Sequence, residues 1–358
     1  MTAVSVNHSI VGCGRVAASH AEAFARLPGV SLWSCHDPVA ERATALAQRF
    51  GIGRVESSYE AVLNDPQVTS LSLAVPHDLH VPMVLQALER GKHVLVEKPF
   101  ALFPEEGARV IERVQHTRLT VVPVAQHRYD PMIRTIQELL RSGDMGEVRL
   151  VRAHLECRRP PEYYRDSDWR GRWAREGGSV LINQAYHIVD LLLHLLGPVK
   201  TVAADMATFS EPGIMETEDT LVASLTFERG TLGGLTLCGS AGAQWGSYIE
   251  LLGARGLVAF DINHPNQLHR FQLESKRAML AWKQRLTAPL PEDLGTSPAG
   301  IGYYGTSHRA QAQAFVACIL GGEGSPFSEL AEALEVVRVV RSLYASARSR
   351  SAGAQRTG

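Results

Sequence analysis

Short apolar runs alternate with segments of helical spacing through the first third of the chain, and this alternation limits the available folds more than any other feature. The apolar runs predict strands at 9–11, 31–35, 70–75, 93–96 and 120–124. Segments between them, such as 39–50 and 80–90, repeat apolar residues at helical spacing, and Gly51 and Gly91 follow as C-terminal caps. Strict alternation of strand and helix predicts right-handed crossovers and a doubly wound parallel sheet, the α/β class.

A second pattern begins after residues 131–142, which are predicted to form a connecting helix. Alternating runs then predict longer strands at 148–157, 201–208, 220–227, 231–238, 248–252 and 257–261. Helices predicted at 183–196, 308–320 and 329–346 would cover one face of these strands. This part of the chain is therefore expected to be an α+β domain with a mostly antiparallel sheet.

The composition indicates a soluble protein with two cores and a nearly neutral surface. The 358 residues are 45% hydrophobic, and the formal net charge is −1. This balance favours neither a nucleic acid nor a membrane surface as the partner. The N-terminus lacks the features of a signal peptide, so we expect a cytoplasmic protein. The five cysteines are scattered and include no C-x-x-C pair, which indicates reduced thiols, and no metal site is predicted.

The first predicted strand leads into Gly12-Cys13-Gly14-Arg15-Val16-Ala17, a turn of the form G-x-G-x-x-A. The first glycine permits the tight turn, and the second lets the backbone approach a pyrophosphate. The small Ala17 lets the following helix pack on the strand, with its N-terminus toward the negative charge. We expect Gly12, Gly14, Arg15 and Val16 to contact a dinucleotide. A generic strand-to-helix turn is the alternative interpretation.

Asp37 ends the second predicted strand, at about the distance downstream where an acidic residue meets the adenosine ribose. A carboxylate there would accept hydrogen bonds from both ribose hydroxyls and repel a 2′-phosphate. The prediction is therefore NAD in preference to NADP. The alternative role for Asp37 is a helix N-cap.

Two further loops follow predicted strands at the edge where open α/β sheets bind ligands. In the first loop, Pro76, His77 and His80 are expected to lie against the cofactor, and the alternative for both histidines is a role in the turn and the helix cap. The second loop is Glu97-Lys98-Pro99, in which the proline restricts the lysine to extended geometry and allows a cis bond. A lysine so placed can hydrogen-bond a substrate hydroxyl and share in moving its proton. A solvated lysine paired with Glu97 is the alternative.

These segments, in this order, resemble the Gfo/Idh/MocA oxidoreductases over nearly the whole chain. The shared motifs are Gly12-x-Gly14-x-x-Ala17, Pro76-x-x-x-His80, the run 91–99 that ends in Glu97-Lys98-Pro99, and the run 177–190. The resemblance implies a Rossmann domain, a second domain with an open, mostly antiparallel sheet, and NAD(P) in the cleft, with Glu97 and Lys98 beside it. It also implies subunits that pair through the outer sheet face, as a homodimer or homotetramer.

The resemblance further implies three catalytic residues, Lys98, Asn183 and His187. The family usually has aspartate where this chain has Asn183, four residues before His187, and that spacing places both on one helical face. An amide can hydrogen-bond a hydroxyl but carries no charge, so it cannot stabilise an imidazolium as aspartate would. Asparagine occurs here in some relatives that act on nucleotide-linked or modified sugars. A structural histidine in an apolar helix is the alternative for His187.

Residues expected to bind the substrate come from two sources. The resemblance extends to Arg128, after the last strand of the first domain, and to Tyr304 and His308 before a late helix. In the segment 158–175, six arginines are interleaved with aromatic residues, and Arg170 and Trp173 there could clamp an anionic group and stack on a sugar or base. Acidic residues in the same segment allow the alternative of a surface loop of exposed ion pairs.

Together these features predict an NAD-dependent dehydrogenase or ketoreductase that acts on a secondary alcohol of a sugar, cyclitol or sugar derivative, including nucleotide-linked and amino sugars. Residues 1–127 would bind the dinucleotide, 128–345 would bind the substrate and form the oligomer, and 346–358 would be a flexible tail. Two other functions fit the motifs: a glycoside hydrolase that uses NAD transiently, and a non-catalytic sensor that binds dinucleotide. The presence of both Lys98 and His187 argues against the sensor, and lasting NADH formation would argue against the hydrolase.

Overall fold

The computed structural model describes residues 5–210, 213–242, 245–262, 267–289, 307–321 and 330–354. The chain divides into two compact units, Met1–Tyr129 with Glu292–Leu334, and Asp130–Pro291 with Glu335–Gly358. The first unit thus includes a stretch of chain that lies, in sequence, between the two segments of the second unit. The domain boundaries predicted from the sequence, at 127 and 345, place residues 292–334 in the second domain, whereas the structure groups them with the first unit.

The first unit is built on a five-stranded parallel sheet, which confirms the predicted α/β class. Its strands are β1 Val6–Val11, β2 Val30–His36, β3 Ser70–Leu73, β4 His93–Val96 and β5 Val121–Pro123, in the spatial order β2-β1-β3-β4-β5. The helices between them are α1 Ala17–Ala25, α2 Ala40–Phe50, α3 Tyr59–Asn64, α4 His80–Glu89 and α5 Pro104–Gln115.

Both faces of this sheet are buried, as parallel sheets require. On one face Leu71, Val94 and Val96 belong to a buried apolar cluster, and on the other Leu95 packs in a cluster with Phe24. The register pairs Val11 with Leu73 and Leu73 with Val96. The loops that follow β1, β3 and β4 therefore leave the sheet side by side at one edge.

The second unit contains a seven-stranded sheet in the order β12-β11-β10-β6-β9-β8-β7. Only β6 and β9 run parallel, so the sheet is mostly antiparallel, as predicted. Its elements are α6 Pro131–Ser142, β6 Val148–Glu156, α7 Pro161–Arg165, α8 Tyr186–Leu196, β7 Val199–Ala207, β8 Thr220–Phe227, β9 Leu232–Cys238, β10 Gly246–Gly253, β11 Gly256–Asp261, β12 Leu268–Leu273 and α9 Lys276–Leu286. Along β8 the side chains alternate in burial, so one face of the strand packs inward and the other is open.

Three of these elements, the short helix α7, the strand β12 and the helix α9, were not predicted from the sequence. The strand β12 is an edge strand that reads Leu-His-Arg-Phe-Gln-Leu, and its polar residues hide the strand pattern. The helix α9 buries only Leu286, because it lies on the surface and needs no wide apolar stripe. Its position is fixed instead by a hydrogen bond from the Trp282 indole nitrogen to Asp144.

The last two helices are α10 His308–Ile319 and α11 Leu330–Ala354. Residues 346–358 are expected to be a flexible tail, and in the structure residues 346–354 of this segment continue α11. Alanine and arginine are frequent in that stretch and favour helix, and Arg350 binds Asp205 with a nitrogen-to-oxygen distance of 2.9 Å. Among the described residues, no helix is both long and apolar enough to cross a membrane.

Candidate active site

The turn between β1 and α1 depends on a close backbone approach at Gly12. This glycine has φ +87°, and a Cβ atom there would lie 2.3 Å from the carbonyl oxygen of Ala74. No other residue fits without moving the loop after β3. Gly14 and Arg15 are exposed, whereas Ala17 is buried against the sheet. The turn therefore offers backbone N–H groups and a helix N-terminus at an accessible surface, a geometry that suits a phosphate group.

Asp37 joins the glycine-rich turn to the next helix. Its Oδ2 accepts a hydrogen bond from the Cys13 backbone N–H at 2.8 Å, and its Oδ1 accepts one from the Val39 backbone N–H at 2.8 Å. The contact with Val39 is of the helix-capping kind. Each carboxylate oxygen can accept more than one hydrogen bond, so these contacts leave capacity for ribose hydroxyls.

Pro76, His77 and His80, which follow β3, differ in burial and in their contacts. Pro76 is half-buried and begins a short turn, and His77 is buried. The His80 ring is wholly buried, with Nδ1 2.7 Å from the Pro99 carbonyl oxygen and Nε2 3.0 Å from the Val75 carbonyl oxygen. Burial lowers the pKa of His80, and a neutral ring donates to one of the two carbonyls at a time. The structure thus favours a role for His80 in holding the two loops together over contact with a cofactor, and the N-cap of α4 is Leu79.

Glu97 and Lys98 leave the end of β4, and Glu97 is turned into the interior. Its Oε1 lies 2.9 Å from His20 Nε2, and its Oε2 accepts a hydrogen bond from the Lys98 backbone N–H at 3.1 Å. Burial opposes ionisation, but the hydrogen bond from His20 and the positive charge of His20 and His308 lower the pKa of Glu97 to about 2. Glu97 is therefore an ionised anchor beneath the half-buried Lys98, and the Lys98–Pro99 bond is cis.

A chain of buried polar groups, missed from the sequence, continues behind Glu97. The His20 Nδ1 lies 3.0 Å from the Ser72 hydroxyl, which lies 2.9 Å from His8 Nε2. The second His8 nitrogen is 2.9 Å from the Ser70 hydroxyl. These residues stand on β1, β3 and α1, and nothing local in the sequence indicates that they meet.

His308, expected to bind substrate, is buried beside this chain. His20, Glu97 and His308 each offer one atom that could ligate a metal, and these atoms lie within 4.8 Å of one another. The hydrogen bond between His20 and Glu97 accounts for the approach of those two without a metal. Arg128 is also buried, at 2% exposure, and is paired with Glu332. Both positions favour structural roles over substrate contact, and Tyr304 lies outside the described residues.

In the second unit, Asn183 and His187 do not share one regular helix, contrary to the prediction. Asn183 belongs to a π-helical turn, Val180–Gln184, and His187 to the first turn of α8. Ala185 separates the two segments and its backbone N–H bonds to the Val180 carbonyl oxygen. Both side chains are half-buried. Wide turns of this kind occur often at functional sites.

A buried glutamate that was not singled out from the sequence holds Asn183. Glu176 Oε1 lies 2.6 Å from Asn183 Nδ2, and its Oε2 accepts a hydrogen bond from the Gly171 backbone N–H at 2.5 Å. Burial raises the pKa of Glu176 to about 7, against the effect of these two hydrogen bonds. The nearby Glu218 raises the pKa further, and Arg170 lowers it. Glu176 precedes a Gly-Gly pair by one residue, but nothing in that pattern indicates its burial.

Arg170 and Trp173, from the arginine-rich and aromatic segment 158–175, both make contacts within the second unit. The Arg170 guanidinium lies 4.2 Å from the centre of the Tyr163 ring. Trp173 donates its backbone N–H and its indole N–H to Glu216, both at 2.8 Å, and its ring lies beneath the Arg348 guanidinium. Trp173 is thus held by the protein itself, which favours a structural role. Arg170 remains half-buried beside the Glu176 carboxylate.

Comparison with known protein families identifies the family of this chain. Residues 6–124 match the oxidoreductase family with an NAD-binding Rossmann fold, and residues 133–259 match the GFO/IDH/MocA C-terminal domain. The chain therefore belongs to the Gfo/Idh/MocA family, and it is an oxidoreductase with an NAD-binding domain.

Similar proteins of known activity include three dehydrogenases. The fold is similar to the WlbA dehydrogenase from Bordetella pertussis, solved with NADH and UDP-GlcNAcA, with a TM-score of 0.84 and 26% identity over 98% of this chain and 97% of that one. Levoglucosan dehydrogenase of Pseudarthrobacter phenanthrenivorans is 23% identical over 90% of this chain and 91% of its own. Myo-inositol 2-dehydrogenase of Thermotoga maritima is 23% identical over 70% of this chain and 74% of its own.

Proposed function

We propose that this protein is an NAD-dependent dehydrogenase or ketoreductase that acts on a secondary alcohol of a sugar, cyclitol or nucleotide-linked sugar. The observation that carries the proposal is the shared sheet edge of the first unit. The register aligns the ends of β1, β3 and β4 there, so the Gly12 turn, the Pro76 loop and Lys98 leave the sheet as neighbours. A lysine at the edge that receives the dinucleotide suits hydride-transfer chemistry.

NAD is the proposed cofactor in preference to NADP. The support is Asp37, whose carboxylate is fixed by the backbone N–H groups of Cys13 and Val39 at the glycine-rich turn. A fixed negative charge there repels a 2′-phosphate and accepts hydrogen bonds from unmodified ribose hydroxyls. When bound, NAD supplies the nicotinamide ring that accepts the hydride.

The proposed catalytic residues are Lys98, Asn183 and His187. In the oxidative direction, His187 takes the proton of the substrate hydroxyl as the carbon loses a hydride and the C–O bond becomes a carbonyl. Lys98 donates to that oxygen and stabilises the charge it develops, and Asn183 orients the substrate. The support for His187 and Asn183 is their half-buried position beside an irregular turn, together with the family match.

The substrate class is supported by the similar proteins. One of them was solved with UDP-GlcNAcA, and others are named for levoglucosan and myo-inositol. We also propose a homodimer or homotetramer. Val222 and Leu232, on β8 and β9, are 53% and 55% exposed, and pairing of the sheets would cover these two apolar residues.

A substrate screen with both cofactors tests the proposal. The purified protein is incubated with NAD or NADP and UDP-linked sugars, free sugars, anhydrosugars or inositols, and reduced nicotinamide is followed by its absorbance. We expect lasting NADH formation with at least one of these alcohols, and a rate lower by a factor on the order of 10² or more with the Lys98→Met variant. Absence of turnover with every class, in either direction, would contradict the proposed function. Transient reduction with no net NADH would favour the hydrolase alternative.

A further inference from the structure

Asn183, which stands where the family usually has aspartate, has an amide of defined orientation. Its Nδ2 lies 2.6 Å from Glu176 Oε1 and 3.3 Å from the Tyr163 hydroxyl. An ionised carboxylate can only accept hydrogen bonds, so the amide nitrogen of Asn183 must face Glu176. The amide oxygen can accept two hydrogen bonds and donates none, so it is the atom through which Asn183 can accept a hydrogen bond from a ligand.

Glu176 is itself held in place. The side chain is fully buried, and the Gly171 backbone N–H donates to its second carboxylate oxygen. Gly171 has φ +67°, and a Cβ atom there would lie 2.7 Å from the Cβ of Met215, so only glycine suits the position of this donor. The carboxylate therefore presents one fixed oxygen to Asn183.

The turn that carries Asn183 is fixed by a second buried carboxylate. Glu218 accepts hydrogen bonds from the backbone N–H groups of Ser179 and Leu181, and from the Tyr344 hydroxyl at 2.7 Å. Glu218 thus holds the backbone of this turn, and the hydrogen bond to Glu176 limits the rotation of the Asn183 side chain.

We propose that Glu176 is a positioning residue that turns the Asn183 carbonyl oxygen toward the substrate, where it accepts a hydrogen bond from a substrate hydroxyl. This inference rests on the proposed function. The negative charge that the family usually carries at position 183 is in this chain seven residues upstream, behind an uncharged amide. A substrate group at Asn183 must then be a hydrogen-bond donor, such as an alcohol hydroxyl, and not a carbonyl or ether oxygen.

The orientation of the amide should depend on pH. The charged and titratable groups around Glu176 are Glu218, Arg170 and the hydroxyls of Tyr163 and Tyr164. With burial as the largest cause, the pKa of Glu176 is raised to about 7. Below that pH the protonated carboxyl can donate to the amide oxygen, which allows the amide to turn over. Above it the amide nitrogen must face Glu176.

The test is a kinetic double-mutant cycle on Glu176→Gln, Asn183→Asp and the double variant, with the substrate found by the screen. Glu176→Gln should lower kcat by a factor on the order of 10 to 10² without changing the KM for NAD, and should remove a limb near pH 7 from the kcat profile. Asn183→Asp places two buried carboxyls in contact, where they must share a proton, and should be impaired at least as much.

The double variant distinguishes positioning from packing. In it the amide introduced at position 176 can donate to the carboxylate introduced at position 183, which restores one carboxylate and one amide with their places exchanged. We expect kcat to recover at least about tenfold relative to Asn183→Asp alone. This comparison also serves if Glu176→Gln folds poorly, because it needs only the two variants that carry the Asn183→Asp substitution.

The control variant is Glu250→Gln, which alters another buried carboxylate of the same unit, one paired with Arg152 and Arg270. It should leave kcat, KM and the pH profile unchanged. An unchanged kcat and pH profile in Glu176→Gln, or a double variant as impaired as the product of the single variants, would overturn the positioning role. A parent protein without turnover on any substrate would instead overturn the proposed function, and the two failures are thus distinguishable.

Discussion

Glu97 and Glu176 are both buried, and each lies beside a proposed catalytic residue, yet their pKa values are shifted in opposite directions. Each accepts one hydrogen bond from a side chain and one from a backbone N–H group. The side-chain partner of Glu97 is His20, which can carry a positive charge, and that of Glu176 is the neutral amide of Asn183. The pKa of Glu97 is lowered to about 2 and that of Glu176 is raised to about 7. Both carboxyl groups are buried, but His20, His308 and Lys98 favour the ionised form of Glu97, whereas the nearby Glu218 disfavours the ionised form of Glu176.

The two sites are therefore suited to different tasks. An ionised Glu97 beneath Lys98 is a permanent charge that fixes the backbone of the lysine across the working pH range. Glu176 changes its charge near neutral pH, so the orientation of the Asn183 amide that it contacts can change with pH. The following predictions test this difference, beginning with the largest expected effect.

Lys98→Met should lower turnover by a factor on the order of 10² or more, because the lysine donates to the substrate oxygen as charge develops there. NAD affinity should stay nearly unchanged, since methionine keeps the length of the side chain and the hydrogen bond to Glu97 comes from the backbone N–H of residue 98. Steady-state kinetics and NAD titration measure the two quantities separately. Near-normal turnover would contradict a catalytic role for Lys98, and also the role of Glu97 in positioning a catalytic lysine.

Glu97→Gln should change the acid stability of the protein. The pKa of Glu97 is lowered on folding from 4.5 to about 2, so its stabilising effect is complete above about pH 4.5 and is lost as the pH falls toward 2. The parent protein should lose about 3 kcal/mol of unfolding free energy from this group over that window, and the variant should not. Urea unfolding at several acidic pH values measures the slope. An identical acid slope in parent and variant would show that Glu97 is not held ionised.

Glu176→Gln should have the opposite effect on the pH dependence of stability. The pKa of Glu176 is raised on folding from 4.5 to about 7, so its contribution is complete below pH 4.5 and is lost as the pH rises through 7. Across that window the parent should lose up to about 3 kcal/mol that the variant keeps. Unfolding at about pH 5 and about pH 8 compares the two. If the unfolding free energies of parent and variant differ by the same amount at both pH values, the pKa of Glu176 is not raised by folding.

Asp37→Ser should have the smallest effect of the four, on cofactor choice. Loss of the carboxylate removes repulsion of a 2′-phosphate, and we expect the preference for NAD over NADP to narrow by about tenfold, or about 1.4 kcal/mol. Affinity for both cofactors should also fall, because the hydrogen bonds to Cys13 and Val39 are lost. Fluorescence titration with each reduced cofactor gives the ratio. Equal affinities in the parent protein would contradict the assignment of Asp37.

The parts of the site that follow strand ends could be predicted from the sequence. The glycine spacing at Gly12 and Gly14, and the loop that begins at Glu97, occur next to apolar runs, and local pattern fixes their place at the sheet edge. Asn183 and His187 were found through a motif, but the break between them was not, since an irregular turn and a regular helix can share an i, i+4 spacing.

The supporting residues could not be predicted, because burial and long-range contacts determine their roles. His20 meets Glu97 across 77 positions of sequence, and His8 meets Ser72 across 64. Glu176 was one of several acidic residues near a run of arginines, where exposed ion pairs were the expected pattern. Similarly, Arg128 and His308 matched a family motif, yet the fold buries both.

The most direct test is to titrate the two glutamate carboxyl groups themselves. Protein labelled with ¹³C at the glutamate side-chain carboxyl carbon is followed by NMR between about pH 8 and about pH 4, and the Glu97→Gln and Glu176→Gln variants assign the two signals. We expect the Glu176 signal to titrate with a midpoint near 7, and the Glu97 signal to keep the shift of the ionised form throughout. Two signals that titrate together near the ordinary glutamate value would contradict the division of roles between these two sites.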